Sequence, residues 1–168
     1  FATQMLADVG AEVIKVEDPS MGDLLRLMPP YLGDQGYIFQ IVNRGKKSLS
    51  LNLKNKRGQE IMYRLLENAD VLVEGFRPGV LDRLGMSMET LRTKYPRLIV
   101  ASITGYGQTG PRRDLPGHDL NYQSYSGALA LTTDVDGKPV ISAIQTADLA
   151  GSLYTVIGIL LALRARER

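Results

Sequence analysis

A chain of 168 residues with 44% hydrophobic and 23% charged side chains is long enough to bury a core and too apolar to be disordered. A net charge of +2 and the absence of cysteine argue against a nucleic-acid groove and exclude a disulfide framework or thiolate metal site, while a reducing compartment is permitted. One histidine, His118, is too few for ordinary metal chemistry.

Residues 1–9 carry apolar side chains at helical spacing, Gly10 stops that helix, and residues 12–17 read as a strand directly after it. Residues 18–36 hold Pro19, Pro29 and Pro30 and read as an irregular excursion from the sheet, long enough to be functional. Residues 48–53 alternate like a half-buried strand, after which Ile61, Met62, Leu65, Leu66 and Ala69 repeat at helical spacing. Residues 70–74 form a continuous apolar strand of the kind that helices cover on both faces. A helix over 88–95 ends at Pro96, 97–104 supplies another buried strand, and the remainder reads as helix except for a turn near 134–139. The apolar run 149–163 is broken by Gly151, Ser152, Thr155 and Gly158 and is shorter than the roughly 20 residues of a membrane span, so it reads as a buried helix. This alternation predicts one α/β domain over 1–168 with a mostly parallel sheet.

In such sheets ligands sit beyond the carboxyl ends of the strands, which directs attention to Asp18, Lys54, the run from Gly75 to Gly79, and Gly105-Tyr106-Gly107. Basic clusters at Arg44-Gly45-Lys46-Lys47, Lys54 to Arg57 and Arg112-Arg113 are short and carry no interleaved aromatics, so they suit a small anion better than a nucleic acid. Gly105-Tyr106-Gly107-Gln108-Thr109-Gly110 matches a dinucleotide fingerprint, but Pro111 and Pro116 forbid the helix whose first amides would hold a pyrophosphate. Glycines that let a loop turn sharply over a ligand or neighbour explain it better.

Two residues remain as candidates for chemistry. Asp148 falls in the first turn of a helix expected to run to about Arg166, capped by Thr146 or a neighbour, where the dipole favours a carboxylate and packing has no use for one. His118 lies in the segment Gly117-His118-Asp119-Leu120-Asn121-Tyr122. An imidazole and a carboxylate together form an acid/base pair.

Several segments occurring in order resemble the family III CoA-transferases: residues 10–19, Asn43 to Ser48, Leu51 to Lys54, and Glu74 to Gly79 with Arg83. The Gly-His-Asp-Leu-Asn-Tyr segment is most similar to the 2-methylacyl-CoA racemase branch. The resemblance implies a Rossmann-like sheet and places coenzyme A, as part of the substrate rather than as a redox or metal cofactor, against Leu51, Lys54, Gly75, Phe76, Arg77, Arg83, Thr104, Gly105 and Tyr106. Arg77 and Arg83 would meet its phosphates through paired guanidinium hydrogen bonds. It also implies an interlaced homodimer with no membrane span, and a longer protein, of which this chain would lack the first strand and a second, smaller domain. An incomplete domain of this kind is expected to be poorly stable or self-associating. The expected activity is racemisation of a 2-methyl-branched acyl-CoA in lipid metabolism, with His118 and Asp148 as bases on opposite faces of the α-carbon. The alternatives are CoA transfer through an Asp148 aspartyl-CoA thioester and a CoA-binding fragment without turnover. The expected compartment is the cytoplasm, with a mitochondrion or peroxisome as alternatives.

Overall fold

Helix α1 (Ala2–Asp8) leads through a turn at Gly10 into strand β1 (Ile14–Glu17). A 3-10 turn (Leu24–Leu27) and the two-residue strands β2 (Tyr31–Leu32) and β3 (Gln35–Gly36), paired antiparallel, fill the excursion anticipated over 18–36. Helix α2 (Tyr37–Asn43) follows and returns the chain to strand β4 (Lys47–Ser50). Helix α3 (Lys56–Leu66), strand β5 (Val71–Glu74), helices α4 (Val80–Arg83) and α5 (Met88–Lys94), and strand β6 (Ile99–Ser102) continue the alternation. The chain ends with helices α6 (Asp119–Ser126), α7 (Ala128–Leu131) and α8 (Thr146–Arg166).

The computed structural model describes residues 1–168 and is α/β, as the alternation predicts. β1 and β4 pair in parallel, with Ile14 opposite Lys47 and Glu17 opposite Ser50. β5 and β6 form the second major pair. There the Ile99 N–H donates to the Asp70 carbonyl and the Ile103 N–H to the Glu74 carbonyl, so both strands advance by four residues in the same direction and run parallel. Parallel pairs require crossover connections, and the helices between the strands supply them.

Contacts group the chain into two compact units, residues 1–72 with 81–99 and residues 73–80 with 100–168. In the first unit the buried apolar side chains are Ala2, Phe39, Leu51, Met62, Leu66, Met86 and Leu91. In the second, Ile159 of α8 is fully buried.

Several expectations need correction. The strands are shorter than their apolar runs, because pairing stops at Ile14 and Ser50 while flanking residues turn away; Asn52, for example, receives the Lys54 N–H on Oδ1. The side chains of β5 and β6 are half-buried rather than covered on both faces, apart from the buried Glu74. Residues 103 and 104 lie beyond the strand that ends at Ser102, and residues 105–118 and 132–145 are loops rather than helix, as their prolines and glycines dictate. Within the latter a bridge from Thr133 to Pro139 closes the anticipated turn.

The largest correction concerns α8. It has 21 residues, enough by length and composition to cross a membrane, and it is not a buried helix. Leu149, Leu153, Ile157 and Leu160 share one side at spacings of three and four, and they stand 39%, 51%, 50% and 52% exposed. The apolar run signals a helix that seeks cover, and of its residues only Ile159, off that side, is fully buried.

Candidate active site

His118, Asp119 and Asp148 lie together in the second unit. His118 precedes the first residue of α6, and its backbone is fixed from two directions. Its N–H donates to Asn121 Oδ1 at 2.9 Å, while the Asn121 N–H donates to the His118 carbonyl at 2.8 Å. The residue is exposed. Glycine before it serves packing: a Cβ at Gly117 would stand 2.7 Å from the Tyr122 ring, and the Tyr122 hydroxyl donates to the Gly117 carbonyl at 2.7 Å.

Asp148 sits in the first turn of α8, where the sequence puts it. Neither Thr146 nor the preceding Gln145 caps that helix with its side chain. Asp119 takes that role across 28 residues of sequence: its Oδ1 accepts the Ala147 N–H at 2.7 Å and the Asp148 N–H at 3.3 Å. The other oxygen, Oδ2, accepts Nε2 of Gln123, which is 5% exposed. Asp148 is exposed, and its carboxylate makes no hydrogen bond within the chain. Partial withdrawal from water, followed by the nearby Asp119 charge, raises its pKa above the usual aspartate value, and His118 acts in the opposite direction. Both residues singled out from sequence are thus brought to one place.

Around them stands a tyrosine cluster that the sequence reading overlooked. Tyr106 meets Tyr122 and Tyr125 edge to face at centroid separations of 5.3 and 5.5 Å, and the Arg112 guanidinium lies 4.1 Å from the Tyr125 ring centre. Burial raises the Tyr122 phenol pKa, with further contributions from Tyr106 and Asp148. The dinucleotide-like glycine run is explained here. A side chain at Gly105 would collide with the Tyr122 ring, and Gly107 and Gly110 adopt φ of +85° and +92° in a loop with no helix before Asp119. The neighbour, rather than a pyrophosphate, requires the first glycine.

The anticipated CoA contacts occupy strand ends but divide between the units. In the first, Leu51 is buried and donates its N–H to the Glu17 carbonyl at 2.9 Å, Lys54 is exposed ahead of α3, and Arg83 is exposed at the end of α4. In the second, Gly75, Phe76 and Arg77 follow β5, while Thr104, Gly105 and Tyr106 follow β6. The Phe76 N–H is held by Glu74 Oε2 at 2.8 Å, and the residue is 40% exposed.

The residues missed are Asp119, Gln123 and Tyr122. The spacing of Asp119 and Gln123, four apart on a helix, is a legible pairing signal. Nothing local in the sequence reveals that Asp119 caps α8.

The family model for CoA-transferase family III matches residues 1–168. An acetyl-CoA:oxalate CoA-transferase of Acetobacter aceti is 46% identical over 169 residues, covering 100% of this chain and 43% of that protein. A succinate–glutarate CoA-transferase of Agrobacterium fabrum (strain C58 / ATCC 33970) is 40% identical over 170 residues, covering 97% of this chain and 42% of that protein. Among solved structures, a CaiB/BaiF family protein from Brucella suis superposes with a TM-score of 0.93 at 38% identity, over 99% of this chain and 45% of that one. The chain spans less than half the length of the curated relatives it matches.

Proposed function

The chain belongs to CoA-transferase family III, and on that premise we propose that the complete protein moves coenzyme A between carboxylic acids through Asp148. The observation that carries this reading is a carboxylate at the start of α8 that no group of the chain engages by hydrogen bond. Its oxygen attacks the thioester carbonyl of an acyl-CoA, giving an aspartyl anhydride and releasing the CoA thiolate. The thiolate then attacks the aspartyl carbonyl, which frees the donor carboxylate and leaves an aspartyl-CoA thioester. An acceptor carboxylate reverses both steps and restores Asp148. Every bond made on the aspartate is later broken, so no net oxidant, reductant or base is consumed. A pKa above the usual aspartate value gives a more nucleophilic carboxylate once ionised. The reading assigns CoA contact to Leu51, Lys54, Gly75, Phe76, Arg77, Arg83, Thr104, Gly105 and Tyr106, and takes a homodimer as the working form.

Racemisation of a 2-methylacyl-CoA is the second reading, favoured by His118 standing exposed beside Asp148. The named relatives are CoA-transferases, which supports reversing the order that the Gly-His-Asp-Leu-Asn-Tyr segment suggests. The complete protein separates the readings. Transfer predicts that Asp148→Ala abolishes turnover, His118→Ala is mild, and hydroxylamine intercepts an enzyme-bound thioester. Racemisation predicts solvent deuterium at the α-carbon, lost by about 10²–10⁴-fold in His118→Ala. Deuterium exchange without covalent trapping would reject transfer; absence of either, with CoA still bound, would indicate a binding module.

A further inference from the structure

A helix that begins in solvent leaves its first amides unpaired, and an aspartate in its own first turn is drawn back to satisfy them. Asp148 occupies that position in α8, yet its carboxylate is not used in this way. The amides are taken by Asp119, whose Oδ1 accepts from Ala147 and Asp148 while Oδ2 is fixed by the buried Gln123 amide. Asp119 is therefore anchored at both oxygens, from its own helix and from the next. It also directly follows His118, so the bonds that start α8 tie the histidine's backbone to that of Asp148.

We propose that Asp119 is a positioning residue: by occupying the first amides of α8 it leaves the Asp148 carboxylate free and aimed outward for attack on a thioester. The inference rests on the reading of Asp148 as nucleophile. Asp119 acts through geometry and charge and touches no reacting atom. The charged or titratable groups acting on or with Asp148 are Asp119, His118 and Tyr122. Asp119 opposes ionisation of Asp148 and His118 favours it.

The two contributions separate in a pair of variants of the complete protein. Asp119→Asn keeps an oxygen for the amides and removes the negative charge, since asparagine caps about as well as aspartate, and its Nδ2 stays paired with Gln123 once the Gln123 amide turns to offer Oε1 in place of Nε2. Asp119→Ala removes both. In Asp119→Asn the acid limb of kcat/KM is expected at lower pH than in the parent, with kcat within about tenfold, because geometry persists while Asp148 ionises more readily. In Asp119→Ala, kcat falls on the order of 10²-fold at unchanged KM, the scale expected of a reacting group displaced by about 1 Å. Parental kcat in Asp119→Ala, or an unmoved acid limb in Asp119→Asn, would overturn the proposal. Asp148→Ala runs alongside, and titration of the Asp148 carboxyl is followed by carbon NMR in the parent and in Asp119→Asn. If Asp148→Ala retains transfer, the nucleophile reading fails and the positioning role falls with it; if Asp148→Ala abolishes transfer while Asp119→Ala keeps parental kcat, the nucleophile reading stands and the positioning role alone fails, the carboxyl titration reporting only the charge contribution of Asp119.

Discussion

Glu17 and Asp148 are both acidic residues at the end of a regular element, and their surroundings push them in opposite directions. The Glu17 carboxylate receives Arg26 Nε and Nη2 at 3.0 and 2.9 Å, Ser48 Oγ at 2.9 Å and the Asp23 N–H at 3.0 Å, and Arg26 in turn lies 3.9 Å from the centre of the Phe39 ring. These bonds, that of Arg26 foremost, hold its pKa at about 2 rather than 4.5, against the opposing effect of burial. The folded state therefore binds its proton less readily than the unfolded chain. The resulting stabilisation is complete above pH 4.5 and disappears as pH falls through about 2. Glu17→Gln should reduce unfolding free energy at pH 7 by about 2 kcal/mol, typical of hydrogen bonds to a charged group, and flatten the loss between these pH values. Urea titrations at pH 7 and 3 measure both effects; an acid loss identical in parent and variant would show that other carboxylates carry it. Nothing local in the sequence distinguishes Glu17, whose side-chain partners lie 9 and 31 residues away.

At the scale of elements, α3 carries both its own start signal and a buried face. Asn55 Oδ1 accepts the Arg57 N–H at 2.9 Å, and Met62 and Leu66 bury one face. Gly58 allows the Asn52 carbonyl to approach so closely that any Cβ would collide with it. Replacing the cap by Asn55→Ala is expected to cost about 1 kcal/mol, read as a lower melting temperature, and an unchanged melt would mean that packing alone fixes the start of α3. Helices of this kind were legible because cap, spacing and apolar face agree. Helix α2 was not: Ile38, Ile41 and Val42 favour strand, Gly36 supplies no side-chain cap, and its buried Phe39 is packed from outside by Arg26. The same contrast divides the site. His118 and Asp148 stood out because each residue type is anomalous where it occurs, whereas Asp119 looked like an ordinary first-turn acid until α8 was seen to start on it.

For the molecule as a whole, the apolar side of α8 sets behaviour in solution. Leu149, Leu153, Ile157 and Leu160 form a stripe on a helix whose buried apolar residue, Ile159, lies elsewhere on its circumference. Covering one leucine is worth about 1.5–3 kcal/mol. The isolated 168-residue chain should therefore self-associate, and Leu153→Lys with Leu160→Lys should shift sedimentation towards monomer while leaving far-ultraviolet dichroism unchanged. A parent chain that sediments as a monomer at all concentrations would refute this. A different consequence follows from the tyrosine that fills the space beside Gly105 and Gly117. Positions 105, 117 and 122 are bound by one shape constraint, so their substitutions should not be inherited independently. A descendant that enlarges either glycine must first, or at once, shrink the tyrosine, and the loop from strand to histidine should drift through sequence space as a linked triplet.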